Sequence, residues 1–176
     1  MMIDKWVKTI LALLALLLVF SFGVPYARAE NQWGFGTDIG FLADTYDDTV
    51  FTLSFQGDYY LNSQLSIGPQ ILISPAGDLT QVTVAGIGRY HIPMGAVTIS
   101  PFAGLGIVYA ELDEGPRDND DVSFSLPFGA TAAFKVSRTV SLASTLIFTF
   151  QDLGVPSRVS SDNFNIGMLF GFRFQP

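Results

Sequence analysis

NFNIGMLFGFRF, residues 163–174, is the stretch whose reading decides the fold. Taken alternately, Phe164, Ile166, Met168, Phe170, Phe172 and Phe174 form one face, and Asn163, Asn165, Gly167, Leu169, Gly171 and Arg173 form the other. A period of two marks a β-strand whose faces meet different surroundings. One face is large and apolar throughout; the other is small or polar apart from Leu169. If the small face looks into a protein interior, six large apolar groups look outward. Water disfavours that arrangement and lipid accepts it. The stretch therefore predicts the closing strand of a transmembrane β-barrel.

Seven further segments alternate in the same way: Trp33–Leu42, Val50–Leu61, Leu65–Ser74, Thr80–His91, Val97–Glu111, Val122–Val136 and Val140–Gln151. The sixth strand is the clearest, with Val122, Phe124, Leu126 and Phe128 set against Ser123, Ser125, Gly129, Thr131 and Lys135. The alternation is weakest at Gly86-Ile87-Gly88. The expected fold is all-β, an eight-stranded antiparallel up-and-down transmembrane β-barrel. Connections after the second, fourth and sixth strands are tight, while those after the first, fifth and seventh read as longer and acid-rich. Outer-membrane barrels show this asymmetry, and counting from a periplasmic N-terminus puts the tight turns on the periplasmic side. A soluble ligand-binding barrel would turn the same faces inside out, but an eight-stranded interior has too little room for so many large groups. Pro69, Pro101 and Pro127 fall inside proposed strands. A closed barrel has no edge to hide them on; Pro101 can start a strand near a rim, whereas Pro69 and Pro127 call for bulges or for different strand limits.

The start of the chain predicts export. Asp4, Lys5 and Lys8 make a net positive head, Ile10–Val24 is uncharged and apolar, and Ala27-Arg28-Ala29 supplies small residues for cleavage. The apolar run is shorter than the roughly 20 residues of a membrane-spanning helix, so residues 1–29 read as a cleaved signal peptide and 30–176 as one barrel domain. Removing the signal leaves six basic against fifteen acidic residues, a balance that argues against a nucleic-acid partner. The chain has no cysteine, so disulfides, thiolate metal sites and cysteine nucleophiles are excluded.

Pro101-Phe102-Ala103-Gly104-Leu105-Gly106, Gly86-Ile87-Gly88-Arg89-Tyr90 and the ending Gly167–Phe174 together resemble the OmpA/OmpX-type small outer-membrane β-barrels, over the whole mature chain. The resemblance implies a cell outer-membrane location and insertion by the barrel-assembly machinery. In that family a terminal aromatic belongs to the assembly signal; here Phe174 is followed by Gln175-Pro176. Outer-membrane lipid and lipopolysaccharide are the other expected partners, and the protein is expected to be a monomer.

Chemistry-bearing residues are few. Asp38, Asp58, Arg89, Lys135 and Arg173 fall on the inward face and predict a lumen charge network, because buried charges must pair or be hydrated. The alternative is a polar path for small solutes. Asp113, Glu114, Asp118, Asp120 and Asp121 read as an acidic surface loop, without the glycine and distal glutamate of an EF-hand. His91, the single histidine, reads as a rim or turn residue. No nucleophile elbow, zinc-protease or phosphate-loop motif occurs. Trp33, Tyr59, Tyr90 and Tyr109 fall near strand ends, where aromatic girdles sit. The expected function is structural or surface-interactive with a plugged polar lumen, and with no catalytic residue, cofactor or metal. A small passive pore is the alternative, with a lipid-modifying hydrolase behind it.

Overall fold

The computed structural model describes residues 32–45, 48–76, 79–112, 119–151 and 164–175. The proposed signal peptide and its cleavage site lie outside these residues. Nine strands are present: β1 (Trp33–Thr45), β2 (Asp48–Tyr60), β3 (Leu65–Ala76), β4 (Leu79–Tyr90), β5 (Ile92–Met94), β6 (Val97–Leu112), β7 (Asn119–Lys135), β8 (Val140–Gln151) and β9 (Phe164–Phe174). Every neighbouring pair is antiparallel, β1 pairs β9, and β4 pairs β6, so the sheet closes on itself. The three-residue β5 continues β4 in unchanged register along β6 (Arg89 opposite Phe102, then Ile92 opposite Ile99), which leaves eight staves in the wall.

Facing follows the alternation along each stave. Phe35, Ile39, Phe41, Leu105, Ile107, Phe170 and Phe172 are exposed, Leu105 at 71%. Between them Asp38, Thr52, Ser54, Gln70, Val108 and Leu169 are buried. At Gly86-Ile87-Gly88 the sizes swap while the facing does not: Ile87 is buried and both glycines are exposed. Phe128, Phe148 and Phe164 stack along the outside of β7, β8 and β9, with neighbouring ring centroids 5.4 and 5.8 Å apart. Trp33 and Tyr59 meet at 5.2 Å near the end where the tight turns lie.

Two features correct the sequence reading. Residues 46–47 alone separate β1 from β2, so the connection after the first strand is not a long one. Asp120 and Asp121 belong to β7, opposite Glu111 and Ala110, rather than to a loop; Asp113, Glu114 and Asp118 lie outside the described residues. Both differences arise because a strand that has left the lipid can lose its apolar alternation and keep its ladder.

The prolines are accommodated without bulges. Pairing lapses at Gly57–Asp58 against Gly68–Pro69, at Tyr90–His91 against Ser100–Pro101, and at Gly104–Leu105 against Leu126–Pro127. It resumes in the same register beyond each lapse. The register shift between β1 and β2 falls elsewhere, at Ala43/Thr45. A missing N–H thus costs a local stretch of ladder and leaves the facing intact. Gly68 fits the first lapse by lacking a side chain, since a Cβ there would stand 1.9 Å from the Gly57 carbonyl oxygen.

Leu105, midway along β6, tests the outward face. Leu105→Arg should cost about 2–4 kcal/mol in urea unfolding from lipid vesicles, the penalty for arginine at a bilayer midplane. If that face met water, the change would stay within about 0.5 kcal/mol.

Candidate functional site

The inward faces of β1, β2, β4 and β9 carry two ion pairs toward the tight-turn end of the lumen. Arg173 on β9 donates to Asp38 on β1 through two parallel bonds, Nη1 to Oδ1 at 2.6 Å and Nη2 to Oδ2 at 2.9 Å. This fork-to-fork geometry makes the strongest kind of carboxylate contact. Arg173 Nη2 also reaches Thr145 Oγ1 at 3.1 Å, and Thr145 shares a 2.9 Å hydrogen bond with Thr131. Arg89 Nη1 donates to Asp58 Oδ1 at 2.8 Å, and its Nη2 donates to Gln56 Oε1 at 3.1 Å. Gln56 Nε2 in turn donates to Asp58 Oδ2 at 3.1 Å. The Arg89 guanidinium carbon stands 5.7 Å from the centre of the inward-facing Phe102 ring. Gly36 lies between the two groups, where a Cβ would come within 2.8 Å of both Arg173 Cδ and Gln56 Cγ.

His91 joins the second pair. Ser66 Oγ donates to Asp58 Oδ1 at 3.0 Å, so its oxygen is left to accept from His91 Nε2–H at 2.9 Å. His91 Nδ1 shares a 2.8 Å hydrogen bond with Ser100 Oγ. The imidazole lies 5.1 Å from the Tyr60 ring. His91, read from the sequence as a rim or turn residue, lies at the tight-turn end just after β4, where it is buried, 8% exposed, and faces the lumen. Its even spacing from Arg89 carried that signal. Ser66 and Ser100 carried no comparable one, because which residues of adjoining strands meet depends on their register, which alternation does not give.

Four of the five expected lumen charges come together as these two pairs. Lys135 does not. It shares the alternation of Thr131 and Ala133, but it is the last residue of β7 and is exposed. Among the described residues the ion pairs are Arg89–Asp58 and Arg173–Asp38, and neither involves Lys135.

The lumen is not polar throughout. Leu42, Leu72, Ala85, Ile87, Phe102, Ile147 and Leu169 form a buried apolar cluster inside the barrel. Register places the two ion pairs on its tight-turn side. Ser74, Gln81, Gln151 and Asn165 lie buried toward the other end, while Thr83 stands opposite Leu72. A cavity of about 40 Å³ opens beside the ion pairs, among Asp58, Tyr60, Arg89, His91, Ser100 and Arg173. Gln175 reaches across to hydrogen-bond the Tyr60 hydroxyl.

No family model and no curated protein sequence matches the chain. Solved structures do. Neisserial surface protein A is similar over 81% of this chain and 96% of its own, with a TM-score of 0.66 and 18% identity. A major outer membrane protein of Thermus thermophilus matches 84% of this chain and 100% of its own, with a TM-score of 0.61 and 12% identity. Ail, the attachment invasion locus protein of Yersinia pestis, matches 83% and 97%, with a TM-score of 0.56 and 13% identity. The fold is that of a small outer-membrane β-barrel.

Arg173→Met should destabilise the barrel by about 3–5 kcal/mol, because it strands a buried carboxylate. The combined change Asp38→Leu with Arg173→Met should recover most of that loss. A double-mutant cycle in urea checks this; losses that simply add would deny the pair its closing role.

Proposed function

We propose that this protein resides in the bacterial outer membrane as a monomeric barrel with a closed lumen, and that its role is structural or surface-interactive. The observation that carries this reading is the apolar cluster of Leu42, Leu72, Ile87, Phe102, Ile147 and Leu169, which fills part of the lumen with large side chains. An eight-stranded barrel has room for side chains and little else. The cavity beside the ion pairs, about 40 Å³, would take a few water molecules and no solute column. The outward apolar band supports residence in lipid. The names of the Neisserial and Yersinia neighbours, a surface protein and an attachment protein, agree with a surface role without defining a ligand.

A second reading, passage of small solutes, draws on one feature. Thr52, Ser54, Gln56 and Asp58, successive inward residues of β2, are all polar and buried, and they hydrogen-bond onward to Ser74, Gln70, Arg89 and Ser66. This stripe runs past the apolar cluster along one wall.

Two measurements separate the readings. Cells expressing the full chain should hold it in the outer-membrane fraction, with a mobility on SDS gels that changes on boiling. Purified barrel in planar bilayers should then give no unitary current steps. Reproducible steps abolished by Gln70→Leu would assign a pore along the β2–β3 wall; recovery in the soluble periplasm would overturn the membrane reading.

A further inference from the structure

At the tight-turn end the lumen grades from exposed to buried through two side chains that touch. Gln175, just past β9, is exposed; Tyr60, the last residue of β2, is half-buried; His91 beneath them is buried. The Gln175 side-chain amide donates to the Tyr60 hydroxyl, and the Tyr60 ring stands 5.1 Å from the imidazole. To make that contact Tyr60 reaches across β1 at Gly34, where a Cβ would come within 3.0 Å of its ring edge and 3.5 Å of its hydroxyl. Tyr60 and Gln175 line the small cavity together with His91, Ser100, Arg89 and Arg173. Their backbones are tied down, Gln175 N–H to the Thr139 carbonyl at 2.9 Å and Tyr60 N–H to the Gln32 carbonyl at 3.2 Å. Either side chain can therefore swing while the wall stays intact. What they cover is sensitive to water: the Arg89–Asp58 pair beneath attracts more strongly in a dry surrounding than in a wet one.

We propose that Tyr60 and Gln175 form a latch over the tight-turn mouth of the lumen, closed in this structure and opened by the loss of one side-chain hydrogen bond. Closed, it keeps the Arg89–Asp58 pair and His91 from exchanging freely with the compartment at that end. Open, it admits water or a small reagent to them without breaking the ladder between β1 and β9, a local opening far smaller than unfolding. Gly34 is the seat of the latch, since only a residue without a side chain leaves room for the Tyr60 ring over β1. The latch concerns the mouth alone. A barrel that passes solutes and one that does not could both carry it, so its test and the current measurement fail independently.

His91 is the single histidine, so its modification reports the mouth without ambiguity. The folded barrel in detergent is treated with diethyl pyrocarbonate at about pH 8, where an imidazole is neutral, and carbethoxylation of His91 is followed by peptide mass spectrometry. The reagent is larger than the 40 Å³ cavity, so reaction requires opening. The unaltered barrel should react at His91 far more slowly than the urea-unfolded chain. Tyr60→Phe and Gln175→Leu, which keep bulk and remove the hydrogen bond, should each speed the reaction roughly fivefold, the shift in opening from one lost hydrogen bond. The two together should be no faster than the faster single change, because both remove the same contact. Reaction at the exposed Lys135 should stay constant, and the boiling-dependent gel band should show each variant folded. Gly34→Ala, which pushes the ring aside, gives a third route to the same acceleration should either variant fail to fold. A folded, unaltered barrel that reacts as fast as the unfolded chain overturns the proposal. So do rates unchanged in the folded variants, or effects of Tyr60→Phe and Gln175→Leu that multiply.

Discussion

The fork between Arg173 and Asp38 joins the last strand to the first, across 135 residues of chain, and the closed wall depends on that seam. Closure is obligatory for a sheet in lipid, because no water there can satisfy an open edge. The ladder between β1 and β9 supplies the backbone bonds, and the ion pair supplies a contact that other strand pairings would not reproduce. Its geometry also accounts for the small residues around it. The arginine stem lies over Gly36, and a Cβ on Gly171 would come within 2.4 Å of Asp38 Oδ1. The glycines that give the closing strand its strict alternation leave the space in which this pair lies.

Arg89 and Asp58 solve a different problem. They sit on β4 and β2, which are not neighbours, and β3 runs between them with Ser66 opposite Arg89. Arg89 reaches across β3 to Asp58, and Ser66 hydrogen-bonds the same carboxylate oxygen. Both ion pairs lie toward the mouth, where the cavity allows hydration, and the apolar cluster occupies the part of the lumen farther in. That division follows from the cost of burying ions: charge is tolerated where water or several donors can reach it, and a dry interior is filled with Leu, Ile and Phe.

The outward half of this structure was legible in the sequence, because lipid asks the same thing of every outward residue. Alternation alone places Phe35, Phe41, Phe170 and Phe172. The inward half was legible only in part. Alternation puts Asp38, Asp58, Arg89 and Arg173 inside but does not say which of them pair, since partners are set by how far the strands stagger around the barrel. It says nothing of height along the axis either, so it groups Lys135 with the lumen although that residue lies at the rim. Leu42, Leu72 and Ile87 do not stand out as a cluster for the same reason: each comes from a different strand, and only the stagger brings them together.

The prolines show which demand prevails where two conflict. A bulge at Pro101 would have shifted the facing of one side of β6 relative to the other. Ser100 and Phe102 would then no longer both point inward, and the contacts to His91 and Arg89 could not coexist. The same slip would send outward apolar residues such as Leu105 and Ile107 into the lumen and expose Val108 to lipid in their place. A lost backbone hydrogen bond costs on the order of 1 kcal/mol net, and more where no water can replace it. Displacing several large side chains from their apolar surroundings costs about 1.5–3 kcal/mol for each. The wall therefore gives up pairing beside Pro69, Pro101 and Pro127 and keeps its register, and the partition between lipid and lumen is what that register preserves.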